Sequence, residues 1–140
     1  MAATFERPSV TTELAKAMIE AAERKATEMG HPFVIAVVDD SGVLKAFSRM
    51  DGAALASVES SQAKARTSVY FAASTRDLAG AVQPGAPMFG IDSAFGDPVV
   101  FVGGAVPLTD AHGAVIGAVG VGGGYPDQDH EVAEAVKAAL

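Results

Sequence analysis

Between Val99 and Asp129 the chain reads VVFVGGAVPLTDAHGAVIGAVGVGGGYPDQD, the stretch that most constrains its fold. Each apolar run in it has strand length and is cut by glycine before it could make a buried helix. Val99–Val102 reads as one strand; Gly103-Gly104 kinks or turns the chain, and Ala105–Thr109 carries on. Asp110-Ala111-His112-Gly113 is a tight turn leading into a further strand, Ala114–Val121. Gly117 and Gly120 leave no side chain on that strand, so another backbone or a ligand can approach there. The cluster Gly120–Gly124 then opens a last helix near Pro126, where backbone N–H groups can face an anion. The same cluster also serves as a plain tight turn.

The remaining segments fit that hairpin-rich reading. Ser9 to Met29 has helical spacing of Leu14, Met18, Ala22, Ala26 and Met29, with Gly30 and Pro32 to end it. Phe33–Val38 is a β-branched apolar run suited to a strand buried on both faces, and Val43–Met50 returns as its hairpin partner. Ala53–Ala73 reads as a second helix, with Ala56, Ser60, Ala63, Thr67 and Tyr70 on a narrow face of mostly small residues. Ser74 caps a short helix that runs to about Gln83. Pro84–Pro98 has glycine or proline at six of its fifteen positions and reads as a long loop of the functional or mobile kind. No strand–helix–strand unit repeats, so the expectation is one domain over residues 1–140, an antiparallel sheet with helices packed on it.

Composition excludes several functions. A net charge of -7 gives no basic surface for nucleic acid. The absence of cysteine removes thiolate chemistry and Cys-based metal sites, and fits a cytoplasmic protein. No secretory signal or membrane-length apolar run is evident, so no membrane partner is expected. A dinucleotide GxGxxG register from Gly120 would need glycine at Tyr125, and no Gly-Lys-Ser/Thr follows for a phosphate loop. His31, His112 and His130 lack the spacing of a metal pair, so no metal site is expected and each reads as a solvated surface residue. His130 is the exception worth weighing, because it lies beside the glycine turn with Asp127 and Asp129.

Arg49-Met50-Asp51-Gly52 places a guanidinium and a carboxylate at a strand end. Arginine suits a planar carboxylate because it binds both oxygens, although an Arg49–Asp51 pair fixing the turn explains the same residues. Lys64 and Arg66 are the solvated face of the second helix or, for Lys64, the border of a cleft.

Val37-Val38-Asp39 with Gly42, Arg49-Met50-Asp51-Gly52-Ala53, Lys64-Ala65-Arg66-Thr67, Gly103-Gly104-Ala105-Val106-Pro107 and Ile116–Val121 with Gly123 and Gln128-Asp129 form an ordered set. In that set the chain resembles the GlcG/HbpS family, which also supplies the C-terminal domain of PduO-type adenosyltransferases. The resemblance implies an α+β domain, a profilin-like antiparallel five-stranded sheet flanked by helices, and symmetric homo-oligomers. It implies haem as a cofactor for some members and small-molecule catabolism for others, without supplying an iron ligand.

Two functions follow as expectations. One is a binding protein for haem or a related anionic small molecule, with Arg49, Lys64, Gly122, Gly123, Gly124 and His130 at the ligand. The other is a cofactor-independent lyase, isomerase or hydratase with an acid/base pocket at a subunit interface near Pro84–Pro98. There Asp51 or Asp129 would act as base, and Arg49 or Lys64 would hold an anionic substrate.

Overall fold

The computed structural model describes residues 1–140. Helix α1 runs Thr12–Met29, later than Ser9. Val10 N donates to Ile116 O at 2.9 Å and Asp40 N donates to Ser9 Oγ, which ties the residues before the helix to the sheet. Thr11 is therefore the cap, its side chain accepting from Leu14 N at 3.1 Å. Gly30, at φ 68°, closes α1 in the left-handed conformation.

Strand β1 (Val34–Asp39) is paired on both sides, with β2 (Leu44–Arg49) and with a later strand. Its residues from Val34 to Val38 are fully buried, as a run without polar alternation requires. Asp39 Oδ1 accepts from Ser41 N and Val43 N, which shapes the β1–β2 turn. Helix α2 spans Ser57–Phe71, and α3 (Thr75–Leu78) begins where Ser74 accepts from Asp77 N. A 3₁₀ turn at Ala79–Val82 continues α3. Strands β3 (Ala105–Thr109) and β4 (Val115–Gly122) form a second hairpin, and α4 (Pro126–Ala138) starts with Pro126 in its first turn.

The sheet is wholly antiparallel in the order β2-β1-β4-β3. It has four strands, not the five that the resemblance implies. The expected strand Val99–Val102 joins no ladder: Val100 N donates instead to Thr67 Oγ1 at 2.8 Å, and Phe101 packs edge-on against Phe71. A hydroxyl on α2 has taken a donor that a neighbouring strand would need. Gly103-Gly104 then turns the chain into β3.

One sheet face carries Phe33, Ile35, Val37, Val106, Leu108, Val119 and Val121 against Met18, Ala22 and Ala26 of α1 and Val132 and Val136 of α4. The opposite face carries smaller side chains, with Gly120 and Gly122, and takes α2 at close range, through Val38, Ala65, Val69 and Ala118. A Cβ on Gly120 would run into the backbone of Ser61 and Ala65, so only glycine lets α2 sit so close. The face of α2 against the sheet follows Ser57, Ser61, Ala65 and Ser68. The expected stripe is offset from it: Ala63 and Thr67 are buried, while Ala56 and Tyr70 at its ends are exposed. Tyr70 stacks on Phe95, which pins the loop Pro84–Pro98 to the end of α2.

The β3 edge is closed to a further strand and the β2 edge is discouraging to one. Val121 N bonds Gly104 O, so by alternation the outward positions of β3 are Ala105 and Pro107. Ala105 N donates to Thr75 Oγ1, and Pro107 has no N–H to offer. At the other edge, β2 has an irregular register beside Val37–Val38 and carries Lys45 and Arg49.

Candidate functional site

Cross-strand pairing brings three distant segments to one end of the sheet. Arg49 pairs with Val34, and Val34 pairs with Gly122, so the three form a row across β2, β1 and β4. Two strand spacings put Arg49 and Gly122 about 10 Å apart at the backbone. The Asp51-Gly52 turn lies beside this row, where a Cβ on Gly52 would touch Pro32 at 3.8 Å. Met50 N donates to Phe33 O, which holds the end of β2 to the start of β1.

A cavity of about 260 Å³ opens at this end, lined by His31, Gly123, Gly124, Tyr125 and Gln128. His31 Nε2 hydrogen-bonds Gly123 O at 2.7 Å, and its ring meets Phe33 edge-on. Its Nδ1 has no protein partner. Sequence reasoning set His31 aside as a solvated residue, and it is exposed. Its bond to a residue 92 positions away, which makes it part of a site, had no local signal.

The glycine turn is not an open anion cradle. Gly124 N donates to Asp129 Oδ1 at 2.9 Å, and Tyr125 N donates to Gln128 Oε1 at 2.9 Å. The amides that an anion would take are held by the first turn of α4 itself, as in a capping box. Gly122 lies under Ser57, and Gly123, at φ 119°, packs on the backbone of Pro32 and Phe33.

Lys64 and Asp129, 65 residues apart in sequence, form a buried ion pair at 2.9 Å. Lys64 Nζ also donates to Val121 O at 3.1 Å. Burial pushes the Asp129 carboxyl above its ordinary range, against the hydrogen bond and charge of Lys64, the Gly124 amide and the charge of His31. Both carboxylate oxygens are engaged, and neither residue lines a cavity. Lys64 is thus 5% exposed rather than part of a solvated helix face.

The other candidates stay apart. Arg49 and Asp51 are both exposed, and neither enters an ion pair, so no Arg49–Asp51 bridge fixes the turn. His130 turns away from the glycines, its Nε2 3.5 Å from Glu134 and its Nδ1 buried without a partner. Asp127 faces Arg76 at 3.8 Å. No three His, Asp or Glu side chains converge as a metal ion needs. No helix is long and apolar enough to cross a membrane.

Known proteins with the same chain plan are numerous enough to compare. A 15.0 kDa protein from the dhaT-dhaS intergenic region of Citrobacter freundii is 40% identical over 126 residues, 90% of this chain and 88% of that one. The crystal structure of Klebsiella pneumoniae protein ORFY superposes with a TM-score of 0.94 at 33% identity, covering 100% of this chain and 98% of that one. The crystal structure of a PduOC:heme complex superposes with a TM-score of 0.88 at 32% identity, covering 94% and 95%. The family model for haem degrading protein HbpS-like matches residues 10–138, and the chain belongs to that HbpS-like family.

Proposed function

We propose that this chain binds haem or a related planar, anionic small molecule at the sheet end formed by His31, Arg49 and the Gly122–Tyr125 turn. The observation that carries the reading is an exposed imidazole with a free Nδ1 lining the cavity of the glycine turn, with the unpaired Arg49 on the row of residues that closes the same sheet end. Arginine binds the two oxygens of a carboxylate, and a free imidazole nitrogen is a donor that haem iron accepts. Tyr125, 80% exposed, offers an aromatic face beside them. The haem held by the PduOC relative supports the same ligand class.

The residues fit part of the group. The cavity is below the usual range for a small-molecule pocket, roughly 300–1,000 Å³, so a ligand as large as haem would be seated only along one edge. A second copy of the chain closing over the exposed side would complete it, in keeping with a homo-oligomer. The enzyme reading has less support, because Lys64 and Asp129 would have to part before either could meet a substrate.

Haemin titration followed at the Soret band tests the proposal. Binding at micromolar haemin is expected, and Arg49→Ala should weaken it about tenfold, the loss of about 1.4 kcal/mol from a charge-assisted contact. Absence of a Soret change, or equal affinity in Arg49→Ala, would sink the assignment.

A further inference from the structure

The binding reading leaves the most deeply buried charged pair without a task. We propose that Lys64 and Asp129 are positioning residues for the sheet-end site: they set the direction of the Gly122–Tyr125 turn and never touch the ligand. This rests on the binding function proposed above.

The pair grips the turn at both ends. Lys64 Nζ holds Val121 O, the carbonyl before the turn, and Asp129 Oδ1 holds Gly124 N within it. The ion pair joins these two grips into one unit. Gly122, Gly123 and Gly124 have no side chains to fix their own path, so the turn relies on such outside contacts. Two of the five residues lining the cavity are Gly123 and Gly124, and Gly123 O sets the tilt of His31. A shift of the turn therefore moves both the cavity wall and its imidazole.

The fold also makes room for the pair at a local cost. A Cβ on Gly104 would lie 2.8 Å from Lys64 Nζ and 2.6 Å from Val121 O, so the start of β3 is kept bare where Lys64 reaches past it. Buried ion pairs are poor contributors to stability and are often replaced by apolar residues without loss. Holding one arrangement of a glycine turn is a role that an apolar pair could not fill.

Two double variants separate positioning from stability. Lys64→Met with Asp129→Leu removes the charges and the acceptor for Gly124 N. Lys64→Met with Asp129→Asn removes the charges but keeps that acceptor. Both should fold and both lose the Lys64 grip on Val121 O; the first, which also loses the Gly124 grip, should bind haemin roughly tenfold more weakly, and the second roughly threefold. His112→Ala, in the far hairpin turn, is the binding control.

Equal haemin affinity in wild type and the leucine variant overturns the positioning role. Equal losses in both double variants also overturn it, because the Asp129 grip on Gly124 N would then contribute nothing to binding. If the leucine variant does not fold, hydrogen exchange in the wild type decides. The Gly124 amide should exchange as slowly as those of β4, and exchange at exposed-loop rates overturns the proposal. Failure of wild type to bind haemin falls instead on the binding function itself, a result that no variant can mimic.

Discussion

Asp129 experiences two opposing influences on one proton. Burial disfavours its charge, and Lys64, Gly124 and His31 favour it, with burial the largest effect. The folded chain therefore binds that proton more tightly than the unfolded chain does. The stabilisation this gives is fully present below the ordinary aspartate pKa of about 3.9 and is lost as pH rises through the raised value. Asp129→Asn cannot titrate, so as pH rises above about 4 and through the raised value its melting temperature should gain on that of wild type. Parallel melting curves across that range would show that Asp129 titrates normally. Little of this was legible in the sequence. Asp129 could be placed in the first turn of α4 and Lys64 beside a small-residue face, but their meeting depends on α2 and α4 approaching the end of β4 from different directions. Periodicity describes one helix at a time and carries no such information.

At the scale of elements, local chemistry was read well and lateral choice was not. Gly30 after Met29, the hairpin turns at Asp39 and Asp110, Pro126 at the start of α4 and the glycines of β4 all act where their own backbone needs them. Val99–Val102 has a strand's composition, yet its environment is a helix that offers Thr67 Oγ1. β-propensity reports a fit to a half-buried surface, and a surface of another kind satisfied it here. Thr67→Val keeps the shape and removes the acceptor, leaving Val100 N unpaired in a half-buried site. A loss of about 1–3 kcal/mol is expected, with faster hydrogen exchange at Val100. Unchanged stability to denaturant and unchanged exchange would show that the hydroxyl does not anchor the segment. The offset of the sheet-facing stripe on α2 has a similar origin: Gly120 and Gly122 chose which residues lie closest, and that choice belongs to β4.

For the whole molecule, the family plan was legible because its motifs are distributed along the entire chain, and the matched span confirms this over residues 10–138. The strand count was not, since it depends on how one segment is partnered. Pro107 and the Ala105–Thr75 bond at one edge, and Lys45 and Arg49 at the other, also act at this scale. Pro107→Thr would restore an outward N–H on a strand-favouring residue. It should raise the average mass seen by light scattering as protein concentration increases, and an unchanged mass would show that other features guard the edge. The β3 edge is stopped by Pro107 and the Ala105–Thr75 bond, and the charges and irregular register of β2 make it a poor template for another copy's strand. Helix and loop surfaces are then better placed than the sheet edges to meet a second copy. A site at the sheet end can then be shared between subunits.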